Sequence, residues 1–330
     1  MAEAFTWRDG DRTIRFGSGV AEQAGELLGS DYVLLTTERA QRMAPAIAAA
    51  AASVVIVPGG RVDEVAADLI EHARPGAHLV ALGGGRVIDV VKALAAAAGD
   101  GAVAAAVPTT LSAAEMTWVH RHARGVDAQT PRVRPRLVIN DPLLSASQPL
   151  SALAASAGNA LAHAVEGAAT ALASPVPTLA ARDAARRLAL GLPSSGDPDR
   201  EQLALGALLS GYAIDASWYG LHHVMAQTLV REAGAAHGEA NAALLPVTSA
   251  ALRLRNPAAL AALDDVIGEP VEAVAKRFAA LAGVPRLRDA GLDEAALELC
   301  AQAASGRSEL ALTPPPAGPA ELLELYRAAW

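Results

Sequence analysis

Short apolar runs alternate with helical ones through the first 140 residues, and that alternation leaves few folds open. DYVLLTT, SVVIVPGG, AHLVALGGG, AVAAAVPTT and RPRLVIND read as strands, rich in Val, Leu and Ile and ending at Gly, Thr, Pro or Asp. Between them AEQAGELLG, RAQRMAPAIAAAAA, VDEVAADLIEHARPG and RVIDVVKALAAAAGDG read as helices. Near-continuous apolar strands alternating with helices predict a parallel sheet covered on both faces.

After Pro149 the texture changes, and helical segments follow one another with no convincing strand. They run Leu150–Leu172, Pro177–Leu192, Arg200–Tyr219, Leu221–Glu232, Asn241–Arg255, Val271–Ala282, Asp293–Ala304 and Pro319–Ala329. Pro193–Asp199 and Pro314–Pro319 punctuate them as loops. The expected organisation is an α/β domain over residues 1–150 and an all-α domain over 151–330. Of the residues, 52% are hydrophobic, many of them alanine, and only 3% are aromatic, so the helices are expected to approach closely on small side chains.

A net charge of −8 argues against a nucleic-acid-binding surface, although a phosphorylated cofactor needs only local donors. Cys300 is the only cysteine, so no intrachain disulfide can form. MAEAFTWRDGDRTIRFG carries charge and no apolar core, unlike a signal peptide. The weakly apolar stretch from Ala93 to Leu111 is broken by Gly99, Asp100, Gly101 and Pro108, unlike a membrane span. A soluble cytoplasmic protein is the expectation.

Strand-like AHLVAL runs into Gly83, Gly84 and Gly85 and then into a helix. Such a turn lets backbone approach a pyrophosphate, and the helix start supplies open N–H groups and a positive dipole end. Arg86 can add a charge-assisted contact. The sequence lacks the G-x-G-x-x-G spacing, and a tight βα turn with no ligand accounts for three glycines equally well. Asp89 and Lys92 fit a solvated first turn. Pro108, Thr109 and Thr110 close another strand, where ligands sit in open α/β sheets, while Ser112 and Glu115 match a helix-capping box.

Asn159 and His163 lie four apart in ASAGNALAHAVEG, which puts both on one helix face, one turn apart. His223 and His237 lie fourteen apart in GLHHVMAQTLVREAGAAHG. With a carboxylate at 159 these four would form a metal-ligand set from two chain segments, but the chain has a carboxamide there. His72, His78, His120, His122 and His222 read as core or surface histidines, and Trp118 as packing.

These motifs, in this order, resemble the iron-containing alcohol dehydrogenase superfamily, and within it the maleylacetate reductases. The resemblance runs from RTIRFGSGVAEQAGELL through GGGRVIDVVKALA, VPTTLSAAEMT, PRVRPRLVINDPLL, SAGNALAHAVEG, GLHHVMAQTL and AAHGEANAALLP to ELLELYRAAW. It implies an N-terminal nucleotide-binding α/β domain with a parallel sheet and an all-α C-terminal domain, with NAD(P)H bound between them. By motif, Gly84, Gly85 and Arg86 would line the pyrophosphate, Asp89 would approach the nicotinamide end, and Thr109, Thr110 and Leu111 would border the cofactor. Thr36 and Thr37 stand where NAD-preferring relatives often carry an aspartate. With Arg39 nearby, that implies tolerance of NADPH. Arg86 departs from the usual small serine, and HRHARGVDAQTPRVRP is short and lacks the family lysine, for which Arg124 is a substitute.

In metal-dependent members an aspartate and three histidines hold iron or zinc. Asn159 matches that aspartate, and His163, His223 and His237 match the histidines. Maleylacetate reductases share the asparagine and typically work without metal. The resemblance then implies that His163, His223 and His237 serve the substrate oxygen, one of them supplying a proton, while Asn159 orients substrate. Gln227 stands where the family usually has histidine, and it cannot shuttle a proton near neutral pH. The leading expectation is an NAD(P)H-dependent, metal-independent reductase of a small carbonyl or enone-like acid, acting as a homodimer away from nucleic acid and membrane. Two alternatives stay open. One is a zinc- or iron-dependent alcohol dehydrogenase. The other is a divergent member with lyase, isomerase or cyclase chemistry, or a binding role, in the same pocket.

Overall fold

A computed structural model of the chain describes residues 4–330. The chain divides into two compact units, one ending at Ser147 and the other beginning at Gln148.

The first unit runs β1 (Phe5–Asp9), β2 (Arg12–Phe16), α1 (Ala24–Leu28), β3 (Val33–Thr36), α2 (Glu38–Met43), α3 (Pro45–Ala49), β4 (Ser53–Ile56), α4 (Val62–Asp68), β5 (His78–Gly83), α5 (Gly85–Ala98), β6 (Val103–Pro108), β7 (Leu137–Asn140) and α6 (Pro142–Ser145). The strands form one sheet in the order β1-β2-β7-β6-β5-β3-β4. All neighbouring pairs are parallel except β1 with β2, a hairpin closed through Gly10 in a left-handed conformation. The expected parallel sheet is therefore present with one antiparallel edge, on a strand that the sequence pattern did not suggest.

Both faces of the sheet are covered, and strand periodicity shows how. Leu79 and Ala81 of β5 join the core cluster of α4 and α5, while Val80 and Leu82 face the cluster of α1, α2 and α3. Ala104 and Ala106 of β6 divide from Ala105 and Val107 in the same way. The run RAQRMAPAIAAAAA is two helices, not one. Pro45 excludes helical geometry from the residue before it, and Ala44 adopts φ −133° and ψ 64°. The expected capping box at Ser112 is also absent, since Ala113 has φ 57° and no helix follows.

The second unit is helical: α7 (Leu150–Ala169), α8 (Pro175–Gly191), α9 (Arg200–Ser217), α10 (Leu221–Glu232), α11 (His237–Arg255), α12 (Pro257–Ile267), α13 (Val271–Ala282), α14 (Ala296–Ser305) and α15 (Pro319–Ala328). α12 was not expected, although its signals are ordinary. Asn256 accepts the Ala259 N–H, Pro257 opens the helix, and Gly268 closes it with φ 87°. Small residues set the helix spacing. A Cβ on Gly167 of α7 would meet Ala213 Cβ of α9 at 3.0 Å, and one on Gly206 of α9 would meet the Ala184 carbonyl of α8 at 3.2 Å. α7 is central and packs against α8, α9, α11 and α13, so nearly its whole length after the first turn is buried.

Candidate active site

In the first unit, β3 and β5 are sequence-distant neighbours whose following helices cover opposite faces of the sheet. Chain direction across the sheet reverses between them, and ligands in open α/β sheets bind outside such carboxyl ends. Thr36 ends β3 there. It is buried, and its Oγ1 donates to the Leu82 carbonyl at 2.8 Å. Thr37 caps α2 by accepting the Ala40 N–H.

At the end of β5 the chain turns through Gly84 into α5. Gly84 caps this helix with no side chain to satisfy its first N–H groups. The glycines are dictated by crowding: a Cβ on Gly84 would meet Thr110 Cγ2 at 2.9 Å, and one on Gly85 would meet Ser112 Oγ at 3.0 Å. Thr110 Oγ1 is buried beside this turn without a hydrogen-bond partner. Thr109 and Leu111 are buried on either side, and Arg86 is exposed. Open helix N–H groups, a close backbone approach and an unpaired hydroxyl suit a nucleotide pyrophosphate.

Lys92 does not stand in a solvated first turn as expected. It is fully buried and donates to Asp89 at 2.9 Å and to the carbonyls of Ala114 and Val119 at 3.0 and 2.7 Å. This ties α5 to the segment after β6. Glu115 lies in the same interior. Its carbonyl accepts Arg12 at 2.7 Å, and burial pushes its carboxyl up to about 7. Trp118 is exposed, with Arg134 over its ring at 4.4 Å.

In the second unit, α7 carries Asn159, His163 and Glu166 on one face, at the i, i+4, i+7 spacing of a helix. Asn159 Nδ2 lies 3.5 Å from His163 Nε2. The rings of His163 and His223 lie 4.8 Å apart at 16°. Burial, then the neighbouring ring of His223, holds His163 well below the usual histidine range. Burial pushes His223 down to about 3, so these rings are uncharged at neutral pH. Asn159 Oδ1, His163 Nδ1 and His223 Nε2 are all buried without hydrogen-bond partners among the described residues. Unpaired buried polar atoms are costly, and three together mark a place kept for a ligand. His237 opens α11 and is exposed.

Glu166 is the residue that sequence reasoning missed. It is fully buried. Its Oε1 accepts the N–H groups of Gly220 at 3.1 Å and His222 at 2.8 Å, and its Oε2 accepts the His223 N–H at 3.3 Å. The same Oε2 lies 2.6 Å from His223 Nδ1. A signal for it was present, because Glu166 is the only charged residue in an alanine-rich helix and falls on the face of Asn159 and His163. His222, by contrast, is a satisfied core histidine. Nδ1 meets Thr248 Oγ1 at 2.7 Å and Nε2 meets Asn241 Oδ1 at 2.9 Å.

Gln227 lies one turn beyond His223 and accepts Arg307 Nη2 through its Oε1 at 3.2 Å. Arg307 also reaches the Tyr219 hydroxyl at 3.2 Å and pairs with Glu309 at 2.7 Å. The Tyr219 ring lies 5.8 Å from His223. Gln227 is thus held by a cation 80 residues away, a contact that no local pattern announces.

The donor set fits a dication less well than one that includes an anionic ligand. The carboxamide of Asn159 is a neutral ligand in place of an anionic one. Among the described residues, no three His, Cys, Asp or Glu side chains are placed to hold an ion together.

Two family models match this chain, the iron-containing alcohol dehydrogenase model over residues 11–142 and the C-terminal model of the Fe-containing alcohol dehydrogenase family over residues 153–330. The chain belongs to the iron-containing alcohol dehydrogenase family. Within it, the chain is most like the maleylacetate reductases. It is 35% identical to maleylacetate reductase 2 of Cupriavidus pinatubonensis over 58% of this chain and 55% of that one, so the match spans little more than half of that enzyme's length. It is 30% identical to the maleylacetate reductase of Sphingobium indicum, over 71% of each chain. The crystal structure of maleylacetate reductase from Agrobacterium tumefaciens superposes with a TM-score of 0.81 at 28% identity, covering 100% of this chain and 99% of that one. The family fold, an α/β unit with a parallel sheet followed by a helical unit, is the one described above. No helix among the described residues is long and apolar enough to cross a membrane.

Proposed function

We propose that this chain is an NAD(P)H-dependent reductase of a small carbonyl or enone-like acid, working without a resident metal in the manner of a maleylacetate reductase. The observation that carries this reading is the pairing of Asn159 with His163 and His223, three buried side chains with unpaired polar atoms and no carboxylate among them.

The nicotinamide, when bound, supplies the hydride. The open N–H groups at the start of α5 receive the pyrophosphate, with Gly84 and Gly85 allowing the approach and Arg86 at its rim. Thr109, Thr110 and Leu111 border the cofactor, and Asp89 lies toward its nicotinamide end. Thr36 and Thr37 present no carboxylate to repel a 2′-phosphate, so NADPH is accepted. His163 offers a ring nitrogen to the substrate oxygen as charge develops there, and Asn159 orients the substrate by its amide. His237, exposed at the head of α11, links the site to solvent protons. Gln227 fixes the wall beside His223 and carries no proton. The enzyme acts as a cytoplasmic homodimer in this reading.

One observation favours a second reading. With Glu166 on its Nδ1, His223 has the form of a metal-binding histidine, so a zinc- or iron-dependent alcohol dehydrogenase is the runner-up.

The test is a fluorescence titration with NADH and NADPH, followed by a screen of keto and enone acids in chelator-treated protein. Saturable binding and cofactor oxidation without metal are expected. Failure to bind either cofactor up to about 1 mM, the upper end of ordinary enzyme affinities, sinks the reductase reading. Activity only after zinc or iron is added selects the runner-up.

A further inference from the structure

We propose that Glu166 is a positioning residue that locks His223 in the tautomer with its proton on Nδ1, so that Nε2 faces the site as an acceptor and not as a donor. The catalytic use of this lock rests on the reading that His223 serves the substrate, but the tautomer itself stands apart from that reading.

Hydrogen-bond direction sets the tautomer. Both carboxylate oxygens of Glu166 are already surrounded by donors. Oε1 takes the N–H groups of Gly220 and His222, and Oε2 takes that of His223. Three backbone N–H groups converge on the two oxygens, the arrangement that favours the charged carboxylate over the neutral carboxyl. The carboxylate therefore only accepts, and the 2.6 Å contact from His223 Nδ1 must carry the ring's proton. Nε2 is then a bare lone pair, and it is the ring atom left without a partner.

The geometry also explains why the lock is rigid. Glu166 caps the first N–H groups of α10 from the last turn of α7. The same carboxylate therefore docks the helix that carries His223 and sets that ring's proton. Gly220, just before α10, has no room for a side chain, since a Cβ there would meet Thr313 Cγ2 at 2.6 Å.

The consequence is a division of labour between adjacent rings. Asn159 Nδ2 facing His163 Nε2 leaves the His163 proton on Nδ1, an unpaired donor. His163 then serves the carbonyl oxygen of the substrate, and His223 accepts from the hydroxyl of the alcohol or enol. A ligand that brings both an acceptor and a hydroxyl suits this pair better than a simple ketone.

The experiment is a long-range proton–nitrogen NMR correlation on the whole chain labelled with 15N at histidine, with His223 assigned by comparison with His223→Gln. Nδ1 protonated and Nε2 bare is the expected pattern. In Glu166→Gln the amide still accepts backbone N–H groups through its oxygen but turns N–H groups toward Nδ1. The His223 proton should then move to Nε2, and kcat should fall about 10–100-fold with the KM for NADPH unchanged. A wild-type His223 protonated on Nε2, or a tautomer unchanged in Glu166→Gln, overturns the proposal. If that variant fails to fold, the wild-type spectrum alone decides. Lack of reductase activity with every acid would count against the reductase reading and leave the tautomer result standing.

Discussion

Asn159 Nδ2 approaches His163 Nε2 to 3.5 Å, one turn along α7, so the residue that would be an anionic ligand in a metal site is instead a neutral neighbour of a histidine. A charge at this position should strengthen metal binding. In Asn159→Asp a carboxylate, the anionic ligand that zinc or ferrous iron prefers, stands beside His163. Affinity for a dication is expected to rise by at least about tenfold, the scale of even an outer-shell change. Calorimetric titration with zinc and elemental analysis of the purified variant check this. Equal metal content in the two proteins would mean that Asn159 does not set metal affinity.

The cofactor turn makes a separate prediction. A methyl group on Gly84 would press on Thr110 Cγ2 at 2.9 Å, at the turn that opens α5. Gly84→Ala should weaken NADH and NADPH binding together by about tenfold or more, roughly 1.4 kcal/mol. The histidine set is built wholly within the helical unit, so its NMR signals should not shift. Unchanged cofactor affinity would move the pyrophosphate away from this turn.

Much of this was legible in the sequence because it depends on local pattern. Leu79 to Leu82 alternate between two core clusters as period-two strands must, and Leu221–Glu232 and Val271–Ala282 have the bounds that their apolar spacing predicts. Asn159 and His163 share a face because a helix requires it. What failed to show depended on distant partners or on single backbone angles. Ser112 and Glu115 spell a capping box, yet Ala113 at φ 57° prevents the helix and turns Glu115 inward toward Asn140. Lys92 reads as a surface residue until the carbonyls of Ala114 and Val119 close around it. Glu166 looked like a lone charge because its partners, the first N–H groups of α10, lie 54 to 57 residues away.

Arg307 should matter for stability and for the shape of the site together. Its side chain is only 19% exposed, and it holds Glu309, Tyr219 and Gln227 at once. Arg307→Ala leaves the Glu309 carboxylate without its cation and frees Gln227 to swing. A loss of about 1.5–3 kcal/mol is expected from the broken charge-assisted bonds. Urea unfolding measures it. A parallel rise in substrate KM would show that the freed Gln227 disturbs the wall beside His223, and a stability loss below about 0.5 kcal/mol would place the network among inert surface contacts.

Acid should unfold this protein earlier than its carboxylates alone would predict. Burial first, and the ring of His223 next, push His222 down to about 3, and burial does the same to His120. A histidine held neutral in the fold stabilises it fully above the ordinary histidine value. That contribution is lost as pH falls from about 6.5 toward 3, because the unfolded chain takes up the proton first. Each such histidine costs about 1.4 kcal/mol per pH unit inside that window. Glu115 acts with the opposite sign. Its carboxyl is raised to about 7, so its contribution is complete below about 4.3 and is lost as pH climbs toward 7. It offsets one histidine over the shared part of the range. Urea unfolding at pH 7 and pH 5 should therefore show a clear loss of stability at the lower pH. His222→Gln, whose amide can still meet Thr248 or Asn241, should reduce that loss by about one histidine's share. A stability that is flat between these two pH values would mean that the buried histidines together lose no more than Glu115 returns, against this expectation.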